Sequence, residues 1–143
     1  MNKSLPNKWI RKAIFDAINN ITVDGVQVPC YDSRILDETK DYYILLTTQT
    51  NEVINDNKCE KRWQSSILID VVTIYNGIGN TGSRLFADNI LDAVRNATND
   101  LTLDVSSGLV KEWQRESFPN DIILSLENKN VYRKLMRIEM QIN

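Results

Sequence analysis

A chain of 143 residues that is 42% apolar and 25% charged, with a formal net charge of −2, is long enough for one hydrophobic core and has no positive excess to hold nucleic acid or anionic lipid. It contains no histidine, which removes the commonest general base, the base of a catalytic triad and the usual nitrogen ligand of zinc. Cys30 and Cys59 lie far apart with no CxxC between them, so they read as ordinary thiols of a reducing compartment.

The opening stretch, MNKSLPNKW, lacks the apolar run of a signal peptide, and no window reaches the length of a membrane span. The expectation is a protein of the cytosol, or of something assembled there. Ser4 and Pro6 then mark a helix start, and Trp9, Ile10, Ala13, Ile14, Ala17, Ile18 and Ile21 recur at helical spacing. This predicts an amphipathic helix ending near Asn19-Asn20. Asp24-Gly25 is a turn, and Val26, Val28 and Tyr31 flank Pro29 in a short extended piece suited to a sheet edge.

After a charged connection over 32–41, residues 42–50 (YYILLTTQT) are β-branched and aromatic and predict a full strand. Residues 51–62 (NEVINDNKCEKR) have no apolar period and predict a long hairpin loop. A loop of that length is the first candidate for contact with another molecule, and its polar residues Asn51, Glu52, Asn55, Asp56, Lys58, Glu60, Lys61 and Arg62 form the candidate interface.

The stretch 64–97 is the expected centre of the fold. Ile67, Ile69, Val71, Thr73 and Tyr75 alternate with Leu68, Asp70, Val72, Ile74 and Asn76, and both sides are apolar enough for a central strand. Phe86, Ile90, Ala93, Val94 and Ala97 make one stripe of a helix that can lie across it. Between the two, Gly77, Gly79 and Gly82 spell the G-x-G-x-x-G of dinucleotide sites, with Asp104 placed as the ribose acceptor. A nucleotide-binding domain is therefore one alternative. Against it, the motif sits mid-chain, with too few residues after it to build the remaining parallel units, and Asp70 interrupts the strand. Glycines relaxing a tight turn, with Asn80 or Thr81 as the helix cap, explain the same residues.

Further on, residues 101–105 read as a short extended piece and 109–117 (LVKEWQRES) as an edge strand. Residues 122–126 fit either a strand or one helical turn. Residues 131–142 alternate Tyr132, Met136, Ile138, Met140 and Ile142 with Arg133, Arg137, Glu139 and Gln141, a strand with one buried and one wet face. Arg133, Lys134 and Arg137 read as a modest basic row on a surface or between subunits. No paired carboxylates, phosphate-binding loop, nucleophile elbow or metal-ligand cluster is present, so neither catalytic residue, cofactor nor metal is expected. The fold class expected is α+β, a mostly antiparallel twisted sheet of four to six strands with the N-terminal and central helices packed on one face.

The order of these elements is itself informative: a helix opening at Trp9, a VPCYD piece, YYILLTT, a polar loop, a strand led by Trp63, a glycine turn, LFADNILDAV, and a closing RKLMRIEMQI. It resembles the tail-terminator (tail-completion) proteins of tailed bacteriophages. The resemblance implies a structural, non-enzymatic virion subunit, assembled in the host cytoplasm. It further implies that the copies form a hexameric or dodecameric ring at the head–tail junction, that they meet neck, portal or tail-tube proteins, that DNA passes through the channel without specific binding, and that no membrane is involved. An adaptor ring of a short-tailed phage is the neighbouring possibility.

Overall fold

The elements in chain order are α1 (Asn7–Ile18), β1 (Ile21–Val23), β2 (Val26–Val28), β3 (Cys30–Asp32), β4 (Tyr42–Ile54) and β5 (Arg62–Asn76). After these come α2 (Leu85–Ala97), a 3-10 turn (Val105–Ser107), β6 (Lys111–Ser117), β7 (Ile122–Leu126) and β8 (Lys129–Ile142). The computed structural model describes residues 5–32, 41–54, 62–76 and 84–143.

Period-2 patterning makes β4, β5 and β8 the body of a six-stranded sheet ordered β3-β4-β5-β8-β6, with β7 also paired to β8. Every pair is antiparallel except β3 with β4. β6 lies along the last part of β8, up to Ile142, and β7 along its start, from Lys129, so the two share one edge in succession. Separately, β1 and β2 form a hairpin in which Asp24 and Gly25 both have positive φ (50° and 81°), the combination a type I′ turn requires. The architecture is α+β, as expected, and residues 122–126 are a strand.

One face of the sheet carries the core. Leu46, Ile69 and Met136 form one rung across β4, β5 and β8, and Ile67 faces Ile138 on the next. Against this face α1 buries Ile10, Ile14 and Ile18, and α2 buries Ala87, Ile90 and Val94. Both helices meet the same buried cluster, as an apolar stripe on each would dictate.

Several details differ from the expectations. Ile21 belongs to β1 and not to the helix. In α2 it is Ala87 that is buried and Ala97 that is exposed, because the stripe follows the 87–90–94 row. The cap position of α2 falls on Arg84, with no side-chain hydrogen bond, and not on Asn80 or Thr81, which lie outside the described residues with Gly77, Gly79 and Gly82. Residues 101–105 form no strand. Leu101, Leu103 and Leu109 instead plug the core end, and the 3-10 turn between them is capped by Asp104.

Candidate interface surface

The second face of the sheet carries no helix among the described residues, and it divides into a polar end and an apolar end. The division follows from register. At the end nearest the β4–β5 hairpin, side chains on this face come from Thr50, Glu52, Gln64, Ser66, Arg137 and Glu139. Towards the other end, β4, β5 and β8 contribute Tyr43, Val72, Ile74 and Val131, and Tyr43, Val72 and Val131 are buried together with Tyr31 and Leu45 packed against them.

The polar end is a connected surface. A shallow depression of about 470 Å³ is lined by Thr50, Asn51, Glu52, Gln64, Ser65, Ser66, Arg137 and Glu139. Beside it, Arg115 donates to Glu139 Oε2 through Nε and Nη2 (2.9 and 2.7 Å) and lies over the Trp113 ring, 5.4 Å from its centroid. Trp113 Nε1 donates to Gln141 Oε1 (2.8 Å), Gln141 Nε2 to Glu112 Oε2 (2.7 Å), and Glu112 pairs with Arg62 (3.1 Å). The chain of bonds thus runs from the base of the β4–β5 hairpin across to the outer strand. Polar groups held in this way present fixed donors and acceptors to a partner, with little side-chain entropy left to lose.

Asp70 divides the two ends. It is 1% exposed, and Arg133 donates to its Oδ2 through Nε (3.0 Å) and Nη2 (2.5 Å). The bond to Asp70 outweighs burial and raises the Arg133 pKa, while burial and the Asp70 charge push the Tyr43 phenol up. Lys134, one residue on, points to the opposite face. There it pairs with Asp88 of α2 (2.9 Å) and with Asp121 (2.5 Å); burial pulls its pKa down, but the two carboxylates prevail and raise it. Arg133, Lys134 and Arg137 therefore do not form a row: strand alternation puts Lys134 under α2 and the two arginines on the other side.

The expected interface residues fall in two groups. Asn51 and Glu52 are strand residues, paired with Ser65 and Gln64, and Arg62 pairs with Ile54, so the hairpin arms run several residues beyond the expected loop boundaries. Asn51 is also held in place: its amide donates to the Asn7 side chain at the start of α1, and its Oδ1 accepts from Ser65 Oγ (2.6 Å). Asn55, Asp56, Lys58, Glu60 and Lys61 lie outside the described residues, as does Cys59. Arg137 and Glu139 complete the depression, and the wet parity of the last strand was the signal that marked them.

Asp104 has a structural duty. Its Oδ1 accepts from Ser106 N (2.9 Å) and Ser106 Oγ (2.8 Å), which lowers its pKa and braces the 3-10 turn. Cys30 is buried, and desolvation, with the Asp32 charge behind it, pushes its thiol up to about 12. Among the described residues no group of histidine, cysteine or acidic side chains is placed to hold a metal, and no helix is long and apolar enough to cross a membrane. Comparison with protein-family models and with curated proteins gave no match to this chain.

Proposed function

We propose that this chain is a structural virion subunit, a tail-terminator or neck-ring protein whose copies close into a ring at a phage head–tail junction and leave a channel for DNA. The reading joins the resemblance in element order to the α+β fold, in which one face of the sheet is backed by both helices and the other carries none among the described residues. The observation that carries it is the braced polar end of that second face, beside the β4–β5 hairpin. In a cyclic ring each subunit meets its neighbours head to tail through two different surfaces. The polar end and the 55–61 segment supply one, and hydrogen-bonded polar rims of this sort fix register between subunits. The net charge of −2 suits a conduit, because a strongly basic lumen would hold the passing polyanion.

The test is co-assembly. Purified chain mixed with tail-tube and portal proteins of its phage should give ring-capped tubes or occupied connectors in negative-stain micrographs. A chain that binds neither, at any ratio, contradicts the reading. The nucleotide-binding alternative is tested in the same preparation: Asp104 is already engaged with Ser106, and the expected dissociation constants for NAD and ATP are weaker than millimolar.

A further inference from the structure

The start of α1 is held from the sheet and not by its own residues. Its cap position is Pro6, which makes no side-chain bond to the helix, and no acidic residue stands in the first turn. A helix end of that kind frays unless something else ties it down. Here the tie comes from β4. Between Leu46 and Gln49 the ladder takes three steps along β4 against two along β5, from Leu46↔Ile69 to Gln49↔Ile67, and a bulge of that count re-aims the side chains after it. Tyr42, Ile44 and Leu46 share the helix-backed face before the shift, and Gln49 and Asn51 share it afterwards. Both of these reach α1. Gln49 Nε2 donates to Asn7 O (3.0 Å), and Gln49 Oε1 accepts from Arg11 Nη1 (3.1 Å). The Asn51 amide donates to Asn7 Oδ1, and Asn51 Oδ1 accepts from Ser65 Oγ of β5 (2.6 Å), a residue only 1% exposed.

We infer that Asn7, Gln49, Asn51 and Ser65 form a latch that makes the first turn of α1 and the two arms of the β4–β5 hairpin a single opening unit. Each part is weak alone. The helix start has no cap of its own, and past Asn51 the β4 arm buries little, with Glu52 and Val53 exposed. Asn51 joins them because it is bonded on both sides, to the helix through its amide and to β5 through its oxygen. Breaking either bond frees the side chain, and the remaining bond must then hold it against its rotamer entropy. Segments bound in this way open together at a free energy below that of global unfolding. Asn51 and Ser65 also line the polar depression on the other side of the sheet. A molecule seated there steadies the arms and, through the latch, α1, so the two faces are coupled. That use rests on the depression being an interface, whereas the latch is a property of the chain alone and can fail without touching that reading.

The experiment is residue-resolved hydrogen exchange of the full chain, under conditions where reclosing outpaces exchange. Asn51→Ala should speed the amides of Ile10 and Arg11 by about fivefold or more, the size of a lost helix cap. In the other direction, Asn7→Ala should speed the protected amides of 50–54 and 62–66 by a similar factor, although the substitution lies in the helix. The double variant should exchange no faster than Asn51→Ala alone, because both substitutions remove the same bond. Phe86→Ala, beside Tyr42 at the opposite end of β4, should speed the slowest amides of β5 and β8 and leave Ile10, Arg11 and the hairpin arms unchanged, since the unit opens with that end still packed. Arms that ignore Asn7→Ala, a double variant whose factor is the product of the two singles, or a Phe86→Ala chain in which every amide speeds alike each overturns the proposal.

Discussion

Arg133 and Asp70 occupy neighbouring strands one rung apart, Arg133 opposite Val72 and Asp70 opposite Leu135, and the guanidinium reaches diagonally to a carboxylate that is 1% exposed. Asp70 is buried close enough to Tyr43 for its charge to push the phenol up, and an unpaired charge there is costly. Arg133→Ala should therefore destabilise the chain by about 3 kcal/mol, because it strands the buried Asp70. The double variant Asp70→Leu/Arg133→Leu should recover most of that loss, since a buried pair replaced by packed apolar groups is close to neutral. Urea melts of Asp70→Leu, Arg133→Leu and the double, read as a thermodynamic cycle, check this.

The core rung gives a graded expectation. Ile69→Ala removes a fully buried side chain between Leu46 and Met136 and should cost about 2–5 kcal/mol, and Val71→Ala somewhat less. Phe86 is half-buried at the sheet end, edge-on to Tyr42 with centroids 5.5 Å apart, so Phe86→Ala should cost less than Ile69→Ala. Thermal melts ranking Phe86→Ala above Ile69→Ala in damage would contradict the placement of the core.

Stability should fall on the alkaline side. The Cys30 thiol is held at about 12 against an ordinary 9.0, so the folded chain keeps a proton that the unfolded chain releases. Lys134 is likewise raised above 10.5 by Asp121 and Asp88. Both contributions are complete below the ordinary values and fade as pH climbs through 9 towards 12. Urea midpoints between about pH 8 and about pH 11 should decline, and Cys30→Ala should flatten the early part of the fall. Native Cys30 should also resist alkylation at neutral pH.

The hairpin boundaries dictate where a deletion is harmless. Removing 51–62 would strip strand pairs Asn51↔Ser65 through Ile54↔Arg62 and the Asn51 contact to Asn7, and should destabilise the fold. Replacing 55–61 by a two-residue turn keeps the arms and should leave melting near wild type, as shortening the connection between two paired strands costs little, while assembly is impaired. Circular dichroism and light scattering on both deletions separate the two outcomes.

Much of the fold was legible because period-2 alternation at Ile67, Ile69 and Val71, and at Met136, Ile138 and Met140, has one physical explanation, a strand with a buried face. The hairpin ends were not. Asn51, Glu52 and Val53 are polar or exposed on both parities, so pairing there leaves no pattern in the residues and is set by the strands it continues. Ile122–Leu126 is equally silent, five residues that suit helix or strand until β8 offers a ladder. Asp70 stood out as an anomaly in its strand, but the arginine that resolves it is 63 residues away in sequence, beyond any local signal. Arg133, Lys134 and Arg137 form one cluster only along the chain; strand parity splits them between the two faces.

Self-assembly of the full chain is read from the mass of the particle it forms, measured by light scattering and imaged in the electron microscope. Closed rings of hexameric or dodecameric mass are expected, alone or on addition of the tail-tube protein. A chain that remains a single subunit under every one of those conditions contradicts self-assembly.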